Sequence, residues 1–351
     1  MRGSHHVVVQ NRRVRFEFSV RRNVTIVRGD SATGKTTLMS LIEAYDRLGD
    51  ASGVEVVCDR RCVAINNANW EAVLAGASSC IVFLDEDVSA AKTPEFARRV
   101  RESDNYYVII TREDLPNLPY SVDEIYGIHT SGKYADLRRT YNSFYRIYEP
   151  DEPREMGPVE TVITEDSNSG HQFVKAVCAA DINVTSAYGK SNVRKLLSKH
   201  KGQRVLVIAD GAAFGPEMGD VHLFAKAHPE VGVYLPESFE WVILDSGVID
   251  GNRIKDILDH TEDFVESGEF FSWERFFTHL LVQETKDTYL RYTKAELNSA
   301  YLNGRVLESV LAAMGQVGSL LLRQGEAATE RDGPRDRAET SGDASKSGDK
   351  E

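Results

Sequence analysis

The chain is poor in several features that mark specialised classes of protein. It has four cysteines in 351 residues, no uninterrupted apolar run near the roughly 18 residues that cross a bilayer, and no excess of basic charge. Few cysteines argue against a disulfide framework, and a net charge of −12 argues against a polyanion binder held by bulk charge. These absences predict a cytoplasmic protein with no membrane association.

What the sequence contains is an alternation of apolar strands and helical stretches, which is typical of an α/β fold. The pattern predicts one such domain over residues 7–148 and a second over residues 159–250. Between them, residues 149–158 hold three prolines, a glycine and mostly charged side chains. We interpret this segment as a linker with few contacts across it.

The last part of the chain has a different pattern. Within 251–323, apolar residues recur at helical spacing, and we expect helices that cap the second domain, with a partner-binding helical surface as the alternative. Residues 324–351 contain no Val, Ile, Leu, Met or aromatic residue, so they cannot form a core. This segment is predicted to be a disordered tail.

A phosphate-binding loop is the clearest motif. Residues 29–37 match the pattern G-x-x-x-x-G-K-[ST] in full, with an apolar strand before them and a helix predicted from Lys35. Such a loop directs backbone N–H groups at phosphate oxygens, and the helix dipole assists. We predict an ATP site in which Lys35 contacts the β and γ phosphates and Thr36 binds Mg²⁺. The predicted nucleotide-binding residues are Gly29, Asp30, Ser31, Ala32, Thr33, Gly34, Lys35, Thr36 and Thr37.

A second element of an ATP site follows further along the chain. Four apolar residues, 81–84, come directly before Asp85. In ATP-binding proteins an aspartate at the end of such an apolar strand holds Mg²⁺, so Asp85 is a predicted metal ligand. Glu86 occupies the usual position of the base that aligns the attacking water and is predicted to be catalytic, together with Lys35. The next strand ends in Thr111 and Arg112, and we predict Thr111 as a residue that senses the γ phosphate.

Two carboxylates mark a second site after the linker. Glu165 ends one predicted strand, and Asp210 ends another, just before a glycine-containing turn. Acids at the carboxyl ends of parallel strands meet at one crevice, where α/β sheets bind ligands. Because such carboxylates commonly bind Mg²⁺ for phosphodiester chemistry, Glu165 and Asp210 are predicted as catalytic residues and as ligands of a second divalent ion.

The order of these motifs resembles the Toprim domain of topoisomerases, bacterial-type primases and overcoming-lysogenization-defect (OLD) nucleases. Glu165, the segment 189–193 (Gly-Lys-Ser-Asn-Val) and Asp210 fit the places of the family's glutamate, G-K-x-N-[IV] and D-x-D motifs. Segment 236–240 resembles an acidic element of OLD-type members. Since an ATPase joined to a C-terminal Toprim domain is the OLD layout, the resemblance covers about residues 7–250.

Two features depart from that family. Ala212 stands where D-x-D has its second aspartate, and the first domain lacks an L-S-G-G-Q signature. We therefore interpret the chain as a divergent OLD-like protein: a P-loop ATPase whose nucleotide state controls a Toprim-like domain that acts on nucleic acid. The alternatives are a nucleotide-switched regulatory protein with a degenerate Toprim-like domain and a protein partner, and a P-loop small-molecule kinase. Whether the chain forms a homo-oligomer stays open.

Overall fold

The computed structural model describes residues 1–29, 34–131, 139–149 and 157–322. The predicted tail and most of the predicted linker lie outside these residues. The described chain forms two β-sheets with helices packed around them, which confirms the α/β class. Within these ranges, no helix combines the length and the apolar character that a membrane crossing requires.

The first nine strands form one mixed sheet. They are β1 (His5–Gln10), β2 (Val14–Val20), β3 (Val24–Val27), β4 (Glu55–Val57), β5 (Cys62–Ala64), β6 (Ile81–Leu84), β7 (Tyr106–Ile110), β8 (Ile125–Thr130) and β9 (Thr140–Arg146). Their spatial order is β4-β1-β2-β9-β8-β3-β7-β6-β5. The helices α1 (Lys35–Leu48), α2 (Trp70–Gly76) and α3 (Pro94–Arg101) belong to this part of the chain.

Strands β3, β7 and β6 form the centre of the first sheet. Every residue of these strands is buried, as expected for parallel strands covered on both faces. The three strands are parallel, and β7 lies between the other two. The residues that follow them, Gly29, Thr111 and Asp85, therefore emerge at the same edge of the sheet.

Four later strands form a second, wholly parallel sheet. They are β10 (Thr161–Thr164), β11 (Asn183–Ser186), β12 (Val205–Ile208) and β13 (Val231–Tyr234), in the spatial order β11-β10-β12-β13. Their helices are α4 (Ser169–Val177), α5 (Val193–Lys199), α6 (Gly215–Ala227) and α7 (Phe239–Asp245). After β10 the chain adds β11 on one side of it and then crosses back to add β12 on the other side. Such a switch in strand order leaves a crevice between β10 and β12 at the carboxyl ends of the strands.

The C-terminal helices cover one face of this second sheet. They are α8 (Asn252–Asp259), α9 (Trp273–Thr285), α10 (Gly304–Ala313) and α11 (Gln316–Leu322). Phe277 and Leu281 of α9 are fully buried in one apolar cluster with Val162 of β10 and Leu206 of β12. This packing confirms the sequence-based expectation that the helices cap the second domain.

The other face of the second sheet shares a core with the first sheet. One apolar cluster contains Ile26 of β3, Ile109 of β7, Val207 of β12 and Val221 of α6. The expectation of few contacts between the two parts is therefore wrong. Helix α6 makes the direct contact with the first part of the chain, where the N–H of Gly215 donates to the carbonyl oxygen of Tyr120 at 2.9 Å.

Candidate functional site

Glycine 34 forms the junction between the phosphate-loop motif and helix α1. Its φ of +91° lies in the left-handed region, which residues with a Cβ rarely adopt. A Cβ at this position would also lie 3.4 Å from the ring of Phe16. The backbone therefore requires glycine where the motif has it. Of the predicted nucleotide-binding residues, Asp30, Ser31, Ala32 and Thr33 lie outside the described residues.

The side chain of Lys35 turns back toward the end of β3. It is buried, and its Nζ donates a hydrogen bond to the carbonyl oxygen of Gly29 at 2.6 Å. Thr36 and Thr37 follow it in the first turn of α1, and both are exposed. The ammonium group and the Thr36 hydroxyl thus lie at the start of the same helix, as a phosphate and Mg²⁺ site would require.

Asp85 lies near Lys35 at the same edge of the sheet. Burial raises the pKa of the Asp85 carboxyl, and the positive charge of Lys35 acts in the opposite direction. Its Oδ1 accepts a hydrogen bond from the backbone N–H of Glu86 at 2.8 Å. The predicted phosphate-binding lysine and the predicted Mg²⁺ ligand therefore lie at the same edge of the sheet, on either side of β7.

Glu86 and Thr111 have different surroundings. Oε2 of Glu86 lies 3.1 Å from Nε of Arg112, and both side chains are exposed. The Thr111 hydroxyl donates to the Glu113 carbonyl at 3.1 Å and accepts from the Glu113 N–H at 3.0 Å. The Thr111 hydroxyl is therefore occupied by hydrogen bonds within its own turn. Of Thr111 and Arg112, it is Arg112 that approaches Glu86, the predicted base.

The second site brings Glu165 and Asp210 together, as the strand pattern predicts. They follow the neighbouring strands β10 and β12, and the backbone N–H of Asp210 donates to Oε2 of Glu165 at 3.1 Å. Oδ1 of Asp210 accepts from the N–H of Phe239 at 3.2 Å. Both carboxylates line one pocket at the carboxyl ends of the strands.

Crowding of acids makes ionisation costly in this pocket. Burial raises the pKa of Glu165 to about 7, and the nearby charge of Glu274 adds to the effect. Burial and Glu274 also raise the pKa of Asp210 well above its ordinary value. Carboxylates this close need protons or a cation among them.

Lys294 supplies that cation, and sequence reasoning missed it. Its Nζ lies 2.8 Å from Oε1 of Glu274, 3.4 Å from Oε1 of Glu240 and 3.6 Å from Oδ2 of Asp210. Burial alone would lower the pKa of Lys294, but these three carboxylates outweigh it and raise the pKa. Glu240 belongs to the acidic segment 236–240 that the sequence marked, whereas no pattern marks Lys294 or Glu274.

Glu240 is held by a buried hydrogen-bond chain. It is 1% exposed, and its Oε1 accepts from the hydroxyl of Tyr292 at 2.8 Å. The Tyr292 hydroxyl also lies 2.5 Å from Oγ of Ser169, at the start of α4. No hydrogen-bond partner reaches Oε2 of Glu240 within the described part of the chain.

A second lysine lies on the other side of Glu165. Nζ of Lys190 donates to the carbonyl oxygen of Ala213 at 2.6 Å. Burial lowers the pKa of Lys190, and the charges of Glu165 and Glu217 oppose that shift. The G-K-x-N-[IV]-like segment thus places its lysine beside the predicted glutamate.

The residues of the second site do not fit the metal centre that the Toprim resemblance implies. Across residues 1–29, 34–131, 139–149 and 157–322, no group of three or more His, Cys, Asp or Glu side chains is arranged to hold a metal ion. Asp210, Glu240 and Glu274 share an ammonium group instead. Ala212 is 3% exposed and lies in an apolar cluster, so an aspartate there would place its carboxylate among apolar side chains.

No family model matches this chain, and no curated protein is significantly similar to it in sequence.

Proposed function

We propose that this protein binds ATP with Mg²⁺ at the loop between β3 and α1 and hydrolyses the nucleotide. The observation that supports the proposal most strongly is the arrangement of left-handed Gly34, buried Lys35 and Asp85 at one edge of the first sheet. A glycine-bounded loop between a buried strand and a 14-residue helix is suited to phosphate binding, because N–H groups and the helix dipole favour an anion there.

Each residue has a distinct role in this proposal. Lys35 exchanges its contact with the Gly29 carbonyl for one with the β and γ phosphates. Thr36 and Asp85 would hold the Mg²⁺, which would supply positive charge to offset the charge on the phosphates. Glu86 orients the attacking water, and its ion pair with Arg112 keeps its side chain at the edge of the sheet.

Isothermal titration calorimetry with ATP and Mg²⁺ tests the proposal. Lys35→Ala is expected to weaken ATP binding at least 100-fold, because it removes a charge-assisted contact to the phosphates. Lys255→Ala, at an exposed lysine of α8, is the matched control and should bind like the wild type. Equal ATP affinity in all three proteins would refute the assignment of the site.

We also propose that the nucleotide state controls the acidic pocket of the second sheet. In the leading form of the proposal, this pocket acts on nucleic acid. In the second form it is a regulatory domain without cleavage activity, and two observations favour that form: Lys294 lies among the acids, and the position of Ala212 is apolar. Mg²⁺-dependent cutting of plasmid DNA that is lost in Glu165→Ala would support the first form, and its absence would support the second.

A further inference from the structure

The acidic pocket of the second sheet contains a cation that belongs to the chain itself. We propose that the Lys294 ammonium occupies the position of a divalent cation between Asp210, Glu240 and Glu274, so that this site holds no metal ion while the lysine is intact. The inference does not depend on ATP binding, and it agrees with the regulatory form of the proposed function rather than with metal-dependent cleavage.

Convergence of three separate elements on one atom supports this assignment. Asp210 follows β12, Glu240 lies in the first turn of α7, and Glu274 lies in the first turn of α9. Their oxygens all lie between 2.8 and 3.6 Å from Nζ of Lys294. The ammonium group donates a hydrogen bond to Glu274 and lies within ion-pair distance of Glu240 and Asp210, so its charge is shared among the three carboxylates.

The backbone around Lys294 is fixed against the same strand ends. The carbonyl oxygen of Lys294 accepts from the N–H of Ser169 at 2.9 Å, and that of Ala295 accepts from Nε2 of Gln172 at 2.8 Å. Tyr292, two residues earlier, bonds to Glu240. The segment is thus attached to α4 and α7, and this attachment positions the half-buried side chain of Lys294 beside the three carboxylates.

The unpartnered oxygen of Glu240 points to what the pocket would do without the lysine. Oε2 of Glu240 is buried and has no hydrogen-bond partner in the described chain, while Oε1 contacts both Lys294 and Tyr292. If the ammonium group were removed, three carboxylates would face each other with no cation among them. Without the ammonium group between them, the three side chains could move closer together, and hard divalent cations prefer carboxylate ligands, so the vacated position should accept Mn²⁺.

A Mn²⁺ titration followed by electron paramagnetic resonance tests the inference. All proteins carry Asp85→Asn, which removes the candidate ligand of the other site, and no nucleotide is added. With Lys294 intact we expect no saturable Mn²⁺ binding below millimolar concentration. Lys294→Met should gain at least tenfold in Mn²⁺ affinity, and its melting temperature should rise with Mn²⁺. Lys294→Arg keeps the charge and should behave like the intact protein.

Two results would overturn the inference. One is saturable Mn²⁺ binding by the Lys294-intact protein that is lost in Asp210→Asn, because metal and lysine would then coexist. The other is a folded Lys294→Met protein with no gain in affinity. If Lys294→Met does not fold without metal, its refolding on addition of Mn²⁺ supports the inference. If Lys294→Met folds neither with nor without Mn²⁺, the Mn²⁺ titration of the Lys294-intact protein tests the inference by itself.

Discussion

Arg22 and Glu237 form a two-point ion pair between the two sheets. Nη1 of Arg22 donates to Oε2 of Glu237 at 2.9 Å, and Nη2 donates to Oε1 at 2.5 Å. The guanidinium is 5% exposed, and its Cζ lies 3.4 Å from the ring centroid of Trp273. Nε of Arg22 also lies 3.4 Å from Oε1 of the buried Glu124. Stacking on the ring and pairing with two carboxylates together account for a charge at this depth.

This pair links the surroundings of the two candidate sites. Arg22 precedes β3, and β3 leads directly to Gly29 of the phosphate-binding loop. Glu237 accepts a backbone hydrogen bond from Ala212 at 3.2 Å, two residues after Asp210. A short buried strand and one ion pair thus connect the loop proposed to bind the nucleotide to the turn that carries the acidic pocket.

A double-mutant cycle should measure this link. Arg22→Met is expected to lower the free energy of unfolding by about 3–5 kcal/mol, because it removes the cation that Glu237 and the buried Glu124 share. Glu237→Gln should cost less, because Nε of Arg22 still lies 3.4 Å from Oε1 of Glu124. The double variant should lose less than the sum, by about 0.5–3 kcal/mol. Urea denaturation of the four proteins gives these values. Strictly additive losses would show that the two side chains act independently.

Substitution of Glu86 should separate nucleotide binding from hydrolysis. Glu86→Gln keeps the size of the side chain but cannot accept a proton from water, so we expect ATP affinity within twofold of the wild type and hydrolysis slower by about 10²–10⁴. Glu95→Gln, at an exposed carboxylate of α3, is the control and should hydrolyse ATP normally. Calorimetry and phosphate release provide the two measurements, and an unchanged rate in Glu86→Gln would exclude Glu86 as the base.

Glu165 should make stability depend on pH. Burial raises its pKa to about 7 in the folded protein, so folding favours the protonated form. Its contribution to stability is full below its unfolded pKa of about 4.3 and is lost as the pH rises through about 7. Relative to the wild type, Glu165→Gln should therefore gain stability between pH 5 and pH 8, on the order of 2 kcal/mol.

Urea denaturation at each pH measures this difference. Glu296→Gln, at an exposed carboxyl outside the pocket, is the control and should keep a constant difference from the wild type across the same range. A Glu165→Gln protein whose difference from the wild type does not change with pH would contradict the raised pKa.

Gly215→Ala should weaken the packing between the two sheets. A Cβ at position 215 would lie 2.5 Å from the backbone oxygen of Tyr120, which accepts the N–H of Gly215 at 2.9 Å. Because backbone must shift to admit the methyl group, we expect a loss of about 1–3 kcal/mol in the free energy of unfolding. Gly76→Ala, where no atom lies within 4 Å of the added Cβ, should be nearly neutral by the same thermal and urea assays.

The parts of the sites that follow from local pattern could be predicted from the sequence. The convergence of Glu165 and Asp210 required only that each acid end a parallel strand of one sheet. Likewise, the strand and helix around the phosphate loop follow from a buried apolar run and a helical one. Strand β9 escaped prediction because its residues are mostly polar or half-exposed, so it lacks a continuous apolar run.

Other features depend on contacts between distant segments. Lys294 lies in a loop between α9 and α10 with no periodic pattern, and only the tertiary fold brings it to Asp210. The apolar positions Val193 and Leu197 of α5 predict a buried helix face but not what covers it. Likewise, Arg22 follows Arg21 in a turn, and nothing nearby in the sequence distinguishes the buried arginine from the more exposed one.

The core shared by the two sheets also bears on how such a protein can change over evolutionary time. Helices α5 and α6 contribute apolar side chains to the cluster that contains Ile26 and Ile109 of the first sheet. A recombination event that exchanged one half would leave that surface without a complementary partner. The halves therefore have the relationship of permanently associated subunits, whose facing residues must vary together. We expect this pair of sheets to be inherited as a unit rather than exchanged separately.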